Sequence, residues 1–326
     1  MEPLNKQTEN KLVEVLKQME TALPQMKIVK NADMSQYTSF RAGGKAAVLV
    51  LPETVDAVRT VLKILDENGT PHMMLGNGSN VLFKDSGYDG IVIRLENFGN
   101  RIEFDGEAFP GMTEAESQEE GAICFQTGIY MSVLAKQVQT MGLTGFEFAS
   151  GIPGTLGGGL FMNAGAYGGE LKDVVKGVLA VSPDGSQLKV FTGEEMEFGY
   201  RHSILEENGY IALAASLKLE KGDPETIAET MRDLMQKRNS KQPVQYPSAG
   251  STFKRPEGYF AGKLIQDAGL KGVSVGGAQV STLHSGFVIN RGGATATDIL
   301  QLIALVQNRV YDQFGVMLEP EVRIIG

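Results

Sequence analysis

The chain has 326 residues, of which 42% are hydrophobic and 21% charged, and its net charge is −9. This length predicts two or three domains with a sizeable core, and the negative charge argues against nucleic acid or an anionic membrane as the main partner. The single cysteine, Cys124, excludes an internal disulfide and favours a reducing, cytoplasmic compartment, and no stretch approaches the ~18 apolar residues of a membrane span.

A helix and a small α/β lobe are predicted in the first hundred residues. Apolar residues at helical spacing predict a helix over 12–23 that ends at Pro24, and a polar stretch follows. Residues 46–51 have the pattern of a strand, and Thr54 is placed to cap a helix that stops at Gly69. Further strands are predicted at 73–75, 81–83 and 90–95. This strand–helix–strand order is typical of an α/β lobe of about 60 residues.

The middle of the chain is predicted to be rich in strands. The elements expected there are a β-like region at 100–128 with an exposed acidic loop at 110–120, a helix at 131–141, a hairpin at 174–190 and a strand at 211–219. The turn signal Pro183-Asp184-Gly185 divides the hairpin.

The last hundred residues have the pattern of a separate α+β domain. They are expected to contain a linker at 220–225, a helix at 227–238, a loop at 242–251, a helix at 298–314 and a strand at 316–325. Gly315 supplies the stop signal of the long helix.

Two glycine-rich segments carry the strongest chemical signal. Residues 145–169 contain too much glycine for an ordinary core element, and residues 76–80 join two apolar strands. Backbone N–H groups in such segments can approach a large ligand and cradle a pyrophosphate, and the Pro153–Thr155 stretch marks a helix start that favours phosphate. A connector without ligand is the alternative for each. No GxGxxG or GxxxxGK[ST] pattern occurs, which disfavours a Rossmann site and a P-loop.

Three further segments carry polar groups that suit an acidic substrate. Arg201 offers a planar, charged fork for a carboxylate, and Ser251 lies on a glycine turn where it could donate a proton. Of the two carboxylates near the C-terminal strand, Glu319 and Glu321, only one is predicted to point inward. Positive charge at 238–241 suits a diphosphate, although a solvated face explains it equally well. Three histidines without HExxH or CxxC spacing predict no metal site.

Six of these segments, taken in order, carry a resemblance to a known family. They are Thr38–Gly44, Gly76–Asn80, Gly151–Gly154 with Asn163–Gly168, Tyr200–Ser203, Ala249–Lys254 and Leu318–Val322. Over roughly residues 35–326 the chain resembles the UDP-N-acetylenolpyruvoylglucosamine reductase (MurB) family.

The resemblance implies an α+β fold in which a two-lobe FAD-binding domain of vanillyl-alcohol-oxidase (PCMH) type precedes a C-terminal α+β substrate domain. The boundaries expected on this basis are 1–34 for an N-terminal helical extension, 35–98 and 99–221 for the two lobes, and 222–326 for the substrate-binding domain.

The same resemblance implies an activity, namely NADPH-driven reduction of the enolpyruvyl ether of a UDP-sugar to UDP-N-acetylmuramate, a precursor of peptidoglycan. Non-covalent FAD is the implied cofactor and NADPH the co-substrate. Arg201 and Glu321 match the positions that stabilise the enolate intermediate, with Glu321 kept protonated by burial, and Ser251 matches the general acid.

Two sets of binding residues are implied by the resemblance as well. The implied FAD contacts are Thr38, Arg41, Gly76, Asn77, Gly78, Ser79, Asn80, Ser150, Gly151, Ile152, Gly154, Thr155, Asn163, Ala164 and Gly165. The implied substrate contacts are Tyr200, Arg238, Lys241, Lys254, Lys271 and His284. Arg255 stands where longer members carry asparagine, and the chain resembles the shorter form that lacks a tyrosine-bearing loop. The expected partners are a UDP-sugar and NADPH, without nucleic acid or a membrane span, for a monomer or weak dimer.

Two other functions compete with the reductase. One is an FAD-dependent sugar or alcohol oxidase of the same fold, for which His72 would be the histidine nearest the first glycine loop. The other is a nucleotide-sugar sensor without turnover. A sensor needs no proton-transfer group, so the joint presence of Arg201, Ser251 and Glu321 argues against it.

Overall fold

The computed structural model describes residues 6–95 and 122–326. The helices in these ranges are α1 (Lys6–Ala22), α2 (Val55–Glu67), α3 (Met131–Thr140), α4 (Leu156–Phe161), α5 (Leu205–Asn208), α6 (Pro224–Lys241), α7 (Ala261–Asp267) and α8 (Ala296–Phe314). The strands are β1 (Lys27–Asp33), β2 (Lys45–Leu51), β3 (His72–Leu75), β4 (Val81–Phe83), β5 (Tyr88–Arg94), β6 (Ala122–Gln126), β7 (Leu143–Thr144), β8 (Gly165–Ala166), β9 (Gly169–Glu170), β10 (Val175–Val181), β11 (Leu188–Thr192), β12 (Ile211–Lys218), β13 (Glu220–Lys221), β14 (Ser274–Val275), β15 (Ala278–Val280), β16 (Val288–Asn290) and β17 (Arg323–Ile325). The acidic loop predicted at 110–120 lies outside the described residues.

The first lobe is a four-stranded sheet in the order β1-β2-β5-β3, covered by α1 and α2. Strands β2, β5 and β3 run parallel, which is the arrangement that a strand–helix–strand connection produces. The predicted cap of α2 is confirmed, since Thr54 Oγ1 accepts a hydrogen bond from the N–H of Ala57 at 3.1 Å. Buried Val15 and Met19 of α1 share the core of this lobe.

The polar stretch after Pro24 contains a strand that the sequence did not reveal. β1 pairs antiparallel with β2, with Ile28 opposite Val50. As the edge strand of the sheet, β1 keeps Lys27 and Lys30 in solvent, which masks the alternation that would identify it. Residues 6–33 therefore pack on the first lobe.

The second lobe is an antiparallel sheet in the order β11-β10-β12-β6, packed against α3 and α4. The hairpin predicted at 174–190 is confirmed, with Leu179 opposite Val190. The predicted linker at 220–225 is wrong in part, because β13 pairs with β7. Helix α6 then packs on α3 and on a 3₁₀ helix, Glu147–Gly151, of this lobe.

The C-terminal region joins the sheet β14-β15-β16 to α7 and α8. Thr295 and Asp298 form a capping box at the start of α8, and Gly315, at φ 68°, ends the helix as predicted. The strand predicted over 316–325 is shorter than expected, since β17 alone is extended and pairs with β4 of the first lobe. No helix in the described ranges is long and apolar enough to cross a bilayer.

Candidate active site

A cleft of about 700 Å³ separates the two lobes. The loop between β3 and β4, the start of α4 and the last four residues of the chain contribute to its walls. Nine of the predicted FAD contacts line it, namely Gly76, Asn77, Gly78, Ser79, Asn80, Ile152, Gly154, Thr155 and Ala164. Both glycine-rich segments therefore meet at one cavity, and its size suits a cofactor.

Glycine is required at two positions of the 76–80 loop, one facing the start of α4 and one facing Tyr37. A Cβ on Gly76 would stand 2.6 Å from Thr155 Oγ1, and a Cβ on Gly78, whose φ is 65°, would lie 2.1 Å from the carbonyl oxygen of Tyr37. The Asn77 side chain donates to the carbonyl of Pro153 at 2.6 Å. These contacts fix the 76–80 loop beside the start of α4.

The two segments differ in the backbone donors that they offer. In the first turn of α4, the N–H of Leu156 bonds to Ile129, that of Gly157 to Thr127, and that of Gly158 to the Thr155 hydroxyl. The N–H groups of Leu156, Gly157 and Gly158 are therefore already bonded within the protein, and the phosphate site at this helix start stays a prediction. The N–H groups of residues 77–79 have no acceptor among the described residues, so these donors are free to bind an anion.

Two buried polar residues in or near the cleft, Ser150 and Arg94, have groups that could bind a dinucleotide. Ser150 is buried, and its hydroxyl has no hydrogen-bond partner among the described residues. Arg94 lines the cleft at the end of β5 with only 8% exposure, and its guanidinium donates to the hydroxyl of Tyr130 at 3.4 Å. Arg94 is not among the predicted FAD contacts. A charged residue that ends an apolar strand beside a glycine loop can nevertheless indicate a ligand site, because a buried charge needs a partner.

Other predicted FAD contacts lie away from the cleft walls. Thr38 donates to the carbonyl of Ala42, and Arg41 is exposed with φ 51°. Gly151 faces the Arg238 side chain, and Gly165 packs on Glu170 of β9. The side-chain amide of Asn163 is fully buried and bonded within the second lobe.

An ion pair lies at the junction of the second lobe and the C-terminal region. Arg201 Nε donates to Glu321 Oε1 at 2.6 Å, and the two side chains are 24% and 10% exposed. The Glu321 N–H donates to the carbonyl of Thr252 at 2.8 Å, which places the Ser251 loop beside the pair. The structure therefore brings the segments of all three predicted catalytic residues together.

Burial controls the protonation of this pair. It raises the pKa of Glu321, while Arg201 and, more weakly, Lys254 act in the opposite direction. The upward effect of burial is the larger one, so Glu321 binds a proton more readily than an ordinary glutamate. The predicted inward carboxylate is thus Glu321, whereas the Glu319 side chain is 68% exposed and pairs with Lys254 at 2.6 Å.

Of the six predicted substrate residues, Tyr200 and Lys254 are linked to the pair by the contacts of the described residues. The Tyr200 hydroxyl accepts a hydrogen bond from the backbone N–H of Arg255 at 3.1 Å, and the Arg201 guanidinium lies 5.1 Å from the Tyr200 ring centroid. Burial lowers the pKa of Arg238 and also that of His284, whose ring packs on Phe287. The contacts of the described residues do not link Lys241 or Lys271 to the ion pair.

The described residues contain neither a reactive thiol nor a metal-binding cluster, whereas His72, the histidine of the oxidase alternative, lines the cleft. Burial raises the pKa of Cys124 to about 11, which keeps the thiol protonated and unreactive. No group of three metal-binding side chains occurs in residues 6–95 and 122–326.

The cleft and its glycine loop find a match among known families. Residues 46–190 match the FAD binding domain, a range that includes the 76–80 loop and parts of both lobes, from β2 of the first to β10 of the second. The chain is therefore an FAD-binding protein, and the predicted α+β fold with a two-lobe FAD domain and a C-terminal domain is confirmed.

The C-terminal region and whole-chain similarity define the family. Residues 242–325 match the C-terminal domain of UDP-N-acetylenolpyruvoylglucosamine reductase. Proteins with that name from Alkaliphilus oremlandii and Clostridioides difficile are each 50% identical to the chain, over 95% and 90% of it and 97% and 91% of their own lengths. The crystal structure of the MurB enzyme from Thermus caldophilus superposes with a TM-score of 0.72 at 32% identity, over 93% of this chain and 99% of that one. The chain belongs to the UDP-N-acetylenolpyruvoylglucosamine reductase family.

Proposed function

We propose that the protein is an NADPH-dependent flavoenzyme that reduces the enolpyruvyl ether of UDP-N-acetylglucosamine to UDP-N-acetylmuramate, in the cytoplasm. The observation that carries this proposal is the half-buried Arg201–Glu321 pair beside the Ser251 loop. An oxidase does not need this set of groups, because it removes hydride from its substrate and protonates no carbanion. Family membership further favours the reductase over the oxidase and the sensor.

The cleft between the lobes is the proposed FAD site. Bound FAD would supply the redox chemistry, namely hydride transfer between NADPH and the vinyl carbon of the substrate. The 76–80 loop would hold the pyrophosphate with its backbone donors, Arg94 would add a positive charge, and the Ser150 hydroxyl would find a partner.

Hydride addition leaves negative charge on the substrate, and the ion pair is placed to stabilise it. Arg201 supplies a permanent positive charge where an enolate develops. Glu321 has a raised pKa, so that in its protonated form it can donate a hydrogen bond to the enolate oxygen. The Arg201 charge and the Glu321 proton donor then act together on the carboxylate of the substrate.

Ser251 is the proposed general acid. This role is supported by its position next to Thr252, whose carbonyl accepts from the Glu321 N–H, because that bond holds the Ser251 loop beside the ion pair. A serine hydroxyl is a weak acid, but an enolate is basic enough to take its proton. Tyr200, Arg238, Lys241, Lys254, Lys271 and His284 are the proposed contacts of the UDP-sugar, and the protein is proposed to act as a monomer or weak dimer.

Separate measurement of the two half-reactions tests this function. We expect the Ser251→Ala enzyme to remain yellow and to be reduced by NADPH at the wild-type rate, while reoxidation by the enolpyruvyl substrate slows by about 10²–10⁴-fold. Stopped-flow absorbance of the flavin follows both steps. Ser248→Ala, on the same loop, is the matched control and should leave both rates near wild type. Unimpaired reoxidation in Ser251→Ala would refute the general-acid role.

A further inference from the structure

We propose that Asn163 is a positioning residue that fixes the turn carrying Arg201. The inference rests on the proposed function of Arg201, and it replaces the direct contact with FAD that the sequence implies for Asn163. Asn163 is completely buried, at 0% exposure, and it is not among the residues that line the cleft.

The amide of Asn163 is saturated by contacts within the second lobe. Its Nδ2 donates to the Gly199 carbonyl at 3.0 Å and to Glu170 Oε2 at 2.7 Å. Its Oδ1 accepts from the backbone N–H of Lys172 at 3.0 Å. Only a side-chain amide has two donors and an acceptor in this geometry, because aspartate lacks the donors and alanine lacks all three groups.

The Gly199 carbonyl belongs to the turn that presents Arg201. Gly199 and His202 bond to each other through both backbone pairs, at 3.1 and 3.4 Å, and Arg201 between them has φ 56°. A side-chain-bearing residue in this left-handed region costs on the order of 1–3 kcal/mol and persists only where its surroundings hold it. The Asn163 amide is therefore one of the contacts that maintain this strained conformation.

A second anchor holds the far side of the same turn. Ser203 is fully buried, and its hydroxyl donates to the carbonyl of Phe161 at 2.8 Å. Phe161 is the last residue of α4, and Asn163 follows two positions later. One short stretch of chain, which directly follows the cleft-lining residues of α4, thus fixes the turn at both ends.

Loss of the Asn163 anchor should impair the step that uses Arg201. A displacement of the guanidinium by about 1 Å can cost up to about 100-fold in rate. Reduction of the flavin by NADPH does not use Arg201, so we expect Asn163→Ala to slow reoxidation by the enolpyruvyl substrate about 10- to 100-fold with little change in the reductive step or in FAD content.

A double-mutant cycle with Arg201→Met distinguishes positioning from general damage to the fold. If Asn163 acts through Arg201, then Asn163→Ala adds almost nothing to the reoxidation defect of Arg201→Met. Independent, multiplying defects would overturn the proposal. If Arg201→Met alone leaves reoxidation intact, the proposed role of Arg201 fails instead. Asn208→Ala, which removes an amide that accepts from the Tyr210 N–H in the same lobe, is the control and should leave the half-reactions unchanged.

Ser203→Ala keeps the proposal testable if Asn163→Ala does not fold. It removes the second anchor of the same turn, so we expect a smaller reoxidation defect, about 3- to 10-fold, that also disappears in the Arg201→Met background. Weakened substrate binding should accompany it, measured as the perturbation of the flavin spectrum by the substrate. A defect that persists in the Arg201→Met background would contradict the proposal.

Discussion

The cleft and the ion pair are built in different ways. Backbone groups of two glycine-rich segments shape the cleft, and each segment is continuous in sequence. The Arg201–Glu321 pair instead joins side chains 120 positions apart, with the Ser251 loop from a third part of the chain. Each glycine-rich wall of the cleft therefore depends on local conformation, whereas the pair depends on how the second lobe meets the C-terminal region. Substitutions in the two places should fail in different ways.

After Ser251→Ala, removal of the Glu321 carboxyl is expected to have the largest effect. Glu321→Ala should slow reoxidation of the flavin by the substrate by about 10²–10³-fold, because it deletes a donor aimed at developing charge. FAD binding should survive, since the carboxyl belongs to the ion pair and not to the glycine loop. Loss of FAD from this variant would show that the two regions are not separable.

The pH dependence of the same step sharpens the comparison. Burial raises the pKa of Glu321 against the opposing effects of Arg201 and Lys254, so the protonated form that donates to the enolate is lost as pH rises through this raised value. We expect reoxidation to slow on that alkaline limb, and Glu321→Gln, which is neutral at all pH, to lack the limb. Glu319→Gln, two positions earlier and exposed, should keep it. Stopped-flow rates across pH decide between these outcomes.

A substitution in the glycine loop of the cleft should instead lower the stability of the protein and its FAD content. Gly78→Ala places a methyl group 2.1 Å from the Tyr37 carbonyl at φ 65°. Since overpacking and backbone strain add, the expected loss is roughly 3–5 kcal/mol in the free energy of unfolding, with loss of FAD.

Gly293→Ala is the matched control for that change. Its φ is 68°, and a Cβ there would meet nothing within 4 Å. The strain alone should then cost about 1–2 kcal/mol and leave FAD bound. Denaturant unfolding and the flavin-to-protein absorbance ratio measure both. Equal losses of stability and FAD in the two variants would mean that the close approach of Gly78 to Tyr37 is unimportant.

The same contrast explains how far the sequence could predict the molecule. The α2 cap at Thr54, the hairpin turn at Pro183–Gly185 and the stop at Gly315 are local signals, and all three are confirmed. β1 and β13 are short or polar strands whose pairing depends on distant partners, so their own residues gave no clear pattern.

The candidate site shows the same division. The loop at 76–80 was recognisable because glycine spacing is local, whereas the saturation of the α4 N–H groups by Thr127 and Ile129 could not be read from residues 153–159. The joint catalytic roles of Arg201, Ser251 and Glu321 are predictions from the family resemblance, because no rule of sequence spacing connects the three residues. The role proposed for Asn163 depends on the fold that brings it to Gly199.

The smallest effect is expected at the joint between the first lobe and the C-terminal region. The Asp85 carboxylate, in the loop after β4, accepts from the N–H groups of Ala296 and Thr297 at 2.9 and 2.8 Å and from the Thr297 hydroxyl. Burial acts to raise the pKa of Asp85, but these hydrogen bonds outweigh it and the pKa is lowered. A lowered pKa means that the stabilisation is present above the unfolded-state value and is lost as pH falls through the folded one.

Asp85→Asn should therefore lower the free energy of unfolding by about 0.5–1 kcal/mol at neutral pH, because α8 loses a negative charge at its N-terminus. The difference between wild type and variant should shrink below pH 4, near the ordinary range of an aspartate. Asp89→Asn, at an exposed position of β5 in the same lobe, is the control for charge alone. Since the Asn80 side chain also ties the glycine loop to the Glu321 carbonyl at 3.1 Å, the two regions keep a direct link when Asp85 is neutralised, and reoxidation should stay near the wild-type rate. A large catalytic defect in Asp85→Asn would show instead that the α8 joint, and not the Asn80 link, sets the position of Glu321.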